Sequence, residues 1–359
     1  MNAATLIPVP DTIPVGWGWF HILLTLTFFL HLLAMNIMLG TIIIAFVQSL
    51  CPGDSYLPVN GQIAKKLPYT VALAVNLGVA PLLFAQVIFG HFLYVSSVLM
   101  AVFWLSIVAL LIIAYYSAYI FRYRYTTMQA GRTFFTGLTM LSLLAIGFFL
   151  SNNMTMMLHP RSWTRYFQHP DGLLLNFSDP TLIPRYLHMV VSAIAFGGLA
   201  IALWYTYQKS RGQAGSSRWI KYGCTWFAGA SIANFGLGFW FFGVLPQGVI
   251  VPSTLIGGLF SLFLIGGIIC GALSIIQALR YQPLQTLWYA LATILLMVFM
   301  RDLLRVAYLK PWFSLSDLHV ESSWSPFLVF VISFVAGLGL VGWMLKTTYI
   351  GIHDKEVRS

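Results

Sequence analysis

Polar positions are so sparse along this chain that apolar runs, not alternating faces, set the pattern. Nine runs stand out: 17–48, 68–95, 98–121, 132–152, 184–207, 220–245, 251–279, 284–307 and 325–346. A membrane helix needs about 20 mostly apolar residues to cross roughly 30 Å of hydrocarbon, and every run is long enough. The pattern predicts an all-α, polytopic membrane bundle of nine transmembrane helices, forming one domain over 1–359. Gly, Pro, Asn and Gln inside the runs are tolerated where neighbouring helices cover the backbone. Trp17, Trp19, Trp163, Trp219, Trp288, Trp312 and Trp324 lie near run ends, as interfacial anchors do. The first run has no basic stretch before it and no small-residue cleavage site, so it reads as a retained helix.

Composition agrees with this. Hydrophobic residues make up 59% of the chain and charged residues 8%, against about 25% charged in soluble domains. That excludes a soluble enzyme, a disordered chain and a nucleic-acid-binding domain. The net charge of +10 is a topology signal instead. With nine spans, 13 of the 19 basic residues fall on the side of the C-terminus, opposed there by Asp54, Asp354 and Glu356. On the other side Arg161, Arg165, Arg185, Arg301, Arg305 and Lys310 are balanced by six acids, Asp11, Asp171, Asp179, Asp302, Asp317 and Glu321. The positive-inside rule then puts the C-terminus in the cytoplasm and the N-terminus outside. A bacterial inner membrane is the expected location.

Several chemistries find no support. Cys51, Cys224 and Cys270 are scattered, without a Cys-x-x-Cys-His for covalent haem or a cluster for iron–sulfur. No Gly-rich phosphate loop is present. No internal repeat suggests a transporter of inverted halves.

Histidine carries the remaining signal. His353 lies in the tail, and His159, His169 and His319 lie in outer loops. His21, His31, His91 and His188 lie within apolar runs, where each needs a partner, a metal or a wet cavity. His21, His91 and His188 each fall near the outer end of their helix. His31 is ten residues beyond His21, about 15 Å deeper and about 80° around the helix. Imidazoles at one level on three helices suit haem iron held between helices. The alternatives are hydrogen bonds between helices and a proton path.

Further residues join this level. Arg301 and Arg305 share a face at i,i+4 and suit haem propionates through charge-assisted bonds; the alternative is an Arg–Asp302 pair snorkelling to water. Arg185, three residues before His188, is a second propionate candidate or an interfacial anchor. Met154, Met156 and Met157 follow the fourth run, and Met154 could supply an axial thioether or simply fill space. Gln86, Asn152 and Asn153 are open to quinol or haem contact, or to bonding a neighbour.

The local sequences resemble a family. FHILLTLTFFLHLLAMNIMLG around His21 is similar to the first helix of subunit I of cytochrome bd quinol oxidases. NLGVAPLLFAQVIFG (76–90) resembles that family's second helix, and SDPTLIPRYLHMVVSAIAFGGLAIALWY (178–205) its fifth. Lys310-Pro311-Trp312 echoes a motif after its eighth. The resemblance implies b-type haem, a link to membrane quinol, His21 at the oxygen-site haem and His188 on the low-spin haem.

The chain also departs from that family. No acid lies between Ser97 and Tyr119, where the family has two glutamates. The eighth run holds Arg301, Asp302 and Arg305 but no Glu. The link 246–252 is too short for a quinol loop, and the seventh run has no methionine. His31 and His91 stand outside the pattern. Without titratable groups along a route to oxygen, an electron-transfer role fits better than oxygen reduction. The expectation is a subunit holding two or more haem b groups, in a haem-binding core of helices 1–5 (about 17–207) beside helices 6–9 (about 220–346). It would move electrons between membrane quinol and a periplasmic c-type cytochrome or partner subunit of a respiratory complex. The alternatives are a shortened bd-type quinol:oxygen oxidoreductase and a haem-free anchor or transporter.

Overall fold

The computed structural model describes residues 3–50, 57–128, 131–168 and 170–357. Cys51, Asp54, His169 and Arg358 lie outside the described residues, as do the side chains of His353, Asp354, Lys355 and Glu356. The described chain is all-α. Nine helices follow in order: α1 (Trp17–Leu50), α2 (Leu57–Leu99), α3 (Ala101–Tyr123), α4 (Gly131–Leu158), α5 (Leu182–Ser210), α6 (Ser216–Gly243), α7 (Leu255–Leu279), α8 (Pro283–Leu309) and α9 (Trp324–Val357). Eight of them are long and apolar enough to cross a membrane. The exception is α6, whose aromatic and glycine residues are interrupted by Arg218, Lys221, Thr225, Ser231 and Asn234.

Two helices differ from the sequence pattern. The second run was expected to begin at 68, yet α2 starts at Leu57 and passes through Lys65, Lys66 and Pro68. Lys66 is accommodated because its ammonium sits over the Trp204 ring at 3.2 Å. α2 is also broken: Phe89 has φ −128° and ψ 22°, just before Gly90 and His91. The fourth run was expected to end at 152, but α4 continues to Leu158, so Met154, Met156 and Met157 are helical.

Packing is uneven. α5 lies closest to α6, α1 to α2 and α5, α3 to α4, and α7 to α8, whereas α8 meets α1 and α5 only sparsely. Close approach depends on glycine. A Cβ on Gly40 of α1 would overlap the Ala193 carbonyl of α5, and a Cβ on Gly198 of α5 would lie 2.7 Å from the Gly223 carbonyl of α6. Small residues at such crossings let membrane helices gain dispersion contacts that lipid cannot supply. One core cluster gathers Phe20, Phe84, Phe92, Trp163, Tyr308 and Phe313 at the face on which α1 begins, here the N-terminal face. Two others lie along α1, α5 and α6, and along α1 to α4.

The same face is laced by backbone bonds. Ile13 N–H donates to His319 at 2.9 Å, Glu321 N–H to Ile13 at 3.0 Å and Ser323 N–H to Pro14 at 2.8 Å. α9 is otherwise the least covered span, held near its start by Phe327 against Trp19 and Phe20 and by Phe330 against Phe84.

Candidate functional site: a buried arginine–aspartate–histidine cluster

His21, Thr25 and Phe28 recur on α1 at i, i+4 and i+7, which places them on one stripe. Arg301, Arg305 and Tyr308 do the same on α8. The two stripes meet. Asp302 receives a hydrogen bond from Thr25 Oγ1 at Oδ2, 2.8 Å away, and His21 Nε2 stands 3.5 Å from the same oxygen. Arg305 Nη1 lies 3.3 Å from Asp302 Oδ1 and Arg301 Nη1 lies 3.9 Å from it. The Arg301 guanidinium stacks over Phe28 at 3.9 Å and reaches Met154 Sδ on α4 at 3.8 Å. Arg305 lies over Phe89, at the break in α2, at 5.0 Å.

Arg185 extends the group from α5. It is within electrostatic reach of Arg301, Arg305, Asp179 and Tyr308. Its guanidinium packs on Phe241, 5.3 Å away, and its Nη2 donates weakly to Thr181 Oγ1 at 3.4 Å. Asp179 precedes α5 and accepts from the Thr181 backbone N–H and hydroxyl, both at 2.8 Å, through Oδ1. Its Oδ2 is 3.4 Å from His159 Nδ1. His159 packs edge-on to Tyr308, centroids 5.1 Å apart.

Three guanidiniums therefore face two carboxylates inside an apolar bundle. Burying a charge is expensive unless it is paired and hydrogen-bonded. Here Arg185 Nε, Arg301 Nη1, Arg305 Nη1, Asp302 Oδ1 and the Tyr308 hydroxyl are sealed from solvent without a hydrogen-bond partner among the described residues. Arg305 is only 5% exposed, yet Arg301 keeps 34% of its side chain accessible. The cluster thus reaches the accessible surface at Arg301 and carries a surplus of positive charge. That surplus suits an anionic ligand with carboxylate groups.

The other histidines are held differently. His31 Nδ1 is 3.0 Å from the Ala74 carbonyl of α2, and a Cβ on Gly78 would come within 2.8 Å of its ring. A carbonyl can only accept, so the proton sits on Nδ1 and the Nε2 lone pair is free. Arg301 acts electrostatically on this ring. His188 on α5 faces α6 at Asn234 and Gly238, with Nδ1 sealed from solvent. His91 lies beyond the break in α2, between Phe92 and Phe313 at 4.3 Å and 4.6 Å, its Nε2 without a hydrogen-bond partner among the described residues.

Of the expected site residues, the structure brings His21, Arg185, Arg301, Arg305 and Met154 together and places His31 within reach of Arg301. It sets His91 in an aromatic core and His188 against α6. Gln86 is half-buried on α2 and makes no hydrogen bond among the described residues. Asn152 and Asn153 bond neighbours: Asn152 Oδ1 accepts from the Asn176 N–H at 2.9 Å, and Asn153 bonds Ser96 and Ser97 at 3.3 Å. Met156 and Met157 pack in the core. Among the described residues no group of three or more His, Cys, Asp or Glu side chains is arranged to hold a metal ion.

Thr25, His159, Asp179 and Tyr308 also belong to the cluster; the one sequence signal for Thr25 and Tyr308 is their helical spacing from His21 and Arg305. Asp179 carried one usable signal, an acid two residues before a Thr at the start of an apolar helix. No protein-family model and no curated protein matches the chain.

Proposed function

We propose that this chain is a haem b-binding electron-transfer subunit, a divergent relative of subunit I of the cytochrome bd quinol oxidases. The supporting observation is the cluster of Arg185, Arg301 and Arg305, whose positive charge exceeds that of Asp302 and Asp179 and reaches the accessible surface at Arg301, beside membrane imidazoles. Haem b has the matching chemistry: two propionate carboxylates and an iron that takes imidazole nitrogen. When bound, the group supplies one-electron redox chemistry within the membrane.

The three arginines would hold the propionates. Among the histidines, His31 and His188 are the better iron ligands. Metal-bound imidazole usually donates its other N–H to a carbonyl or carboxylate, as His31 does to Ala74. His21 turns Nε2 toward the Asp302 carboxylate at 3.5 Å, so it positions that carboxylate and stays a third candidate ligand through Nδ1. His91 is enclosed by aromatic rings.

In this reading α6 spans the membrane with the other eight helices, the N-terminus lies outside and the C-terminus lies in the cytoplasm of a bacterial inner-membrane complex. The charge asymmetry between the loops supports that orientation. The arginine cluster then sits near the outer face, where a periplasmic c-type cytochrome or partner subunit could exchange electrons drawn from or delivered to membrane quinol.

A pyridine haemochrome measurement on the purified chain tests the proposal. A b-type spectrum is expected, with low-spin signals and little carbon monoxide binding. Haem should fall by at least half in His31→Ala and His188→Ala. Strong carbon monoxide binding would favour the oxygen-reducing alternative. A chain purified without a Soret band, which regains none on haem addition, would leave only a haem-free bundle.

A further inference from the structure

A second feature lies on the opposite side of α2 from His31. Ala74 and Gly78 face the His31 ring. Asn76, between them in sequence, is turned about 200° away and is exposed on the lipid-facing surface. There it borders a cavity of about 310 Å³ between α2 and α3, lined also by Leu111, Ile112, Tyr115 and Tyr116. That volume is at the lower end of small-molecule sites, which are mostly apolar with a few placed polar groups. Tyr116 is 68% exposed. Tyr115 is hydrogen-bonded to Tyr119, one turn along α3.

Depth narrows the ligand. Tyr115 is seven residues before Arg122, and Asn76 ten after Lys66, so the cavity lies about 10–15 Å inside the level of those basic residues. That is below the headgroup region of a bilayer. No charged side chain lines the cavity, so it offers nothing to a phosphate. An amide facing hydrocarbon is costly unless satisfied, and Asn76 makes no hydrogen bond among the described residues. The suitable ligand is an apolar molecule resident in the membrane core, with a flat ring and hydrogen-bonding oxygens. We infer that this groove binds the head group of an isoprenoid quinone, with the Asn76 amide and the Tyr115 and Tyr116 hydroxyls facing its oxygens and the tail running along α2 and α3 into lipid.

The inference rests on the electron-transfer reading for its ligand class. It gains from position, since one helix, roughly 10 Å across, separates the groove from His31. It commits the quinone site to this face of α2, away from the arginine cluster.

Photolabelling tests it on the full-length chain in detergent, stripped of endogenous quinone, with an azido-benzoquinone bearing a short isoprenoid tail. Saturable label is expected on peptides covering 70–80 and 108–118, competed by unlabelled quinone. Asn76→Leu should raise the half-saturating concentration about tenfold, the effect of losing one hydrogen bond, and Tyr116→Phe should raise it less. Both variants should keep the wild-type haem content. Label that is unsaturable, or that maps beside Arg301, overturns the inference, as does a copurifying phospholipid lost in Asn76→Leu. His31→Ala separates the two proposals: it should lose haem and keep the label, so failure of the haem reading leaves this result standing.

Discussion

Asp302 serves four neighbours with one carboxylate, which makes it the residue whose change is most informative. Asp302→Asn keeps the shape and the Thr25 contact but removes the charge facing Arg301 and Arg305. Leaving buried cations uncompensated costs about 3–5 kcal/mol, so the purified variant should melt well below the wild type. Thr25→Ala removes one hydrogen bond and should cost about 1 kcal/mol; an equal loss in both variants would show that the charge is not what matters. At this scale the sequence was half readable. His21, His31, Arg301 and Arg305 stand out because any polar residue in an apolar run is conspicuous. Asp302 stands out beside the arginines too, but Thr25 does not, because it meets Asp302 across more than 270 positions and no local pattern encodes that pairing. His21, His91 and His188 share a depth by their positions in the runs; the structure encloses His91 between Phe92 and Phe313, in the same core cluster as Phe20 and Tyr308.

Among the elements, α5 is the pivot. Consecutive glycines face different partners, Gly197 toward Gly40 and Thr41 of α1 and Gly198 toward Gly223 of α6. Adding a methyl at Gly197 forces two backbones apart, and overpacking of this kind costs about 1–3 kcal/mol or more. Gly197→Ala should therefore lower the melting temperature and, if His31 and His188 share a cofactor, its retention too. Gly229→Ala is the control: nothing lies within 4 Å of its Cβ position, and stability should be unchanged or slightly raised. The runs predicted these elements well because about 20 apolar residues leave few options. They misplaced the start of α2, since Lys65-Lys66 followed by Pro68 reads as a loop until Trp204 is seen beneath Lys66.

For the whole molecule, the number of crossings turns on α6. α6 lacks the hydropathy of the others yet is packed against α5 more closely than any other pair of helices. If it spans, single cysteines at Gly212 and Gly248, in a chain freed of native cysteine, should react with a membrane-impermeant maleimide from opposite sides. Position 212 should be labelled only after the cytoplasmic side is opened. Labelling of both from one side would reduce the bundle to eight crossings and reverse the assignment of every loop after it. Composition and charge made the membrane character legible. They could not show that α7 and α8 form a pair set apart from the rest, since that depends on which apolar faces find each other.

The strap joining Ile13 and Pro14 to the stretch from His319 to Ser323 bears on biogenesis. α1 is made well before the stretch from His319 to Ser323, so the backbone groups that fasten its leading edge emerge only after α1 to α8 have been made. α1 must wait, incompletely moored, for the segment that leads into α9. Truncations that stop before residue 319 should therefore loosen the segment ahead of α1, and proteolysis near residue 13 would report the loss of the strap.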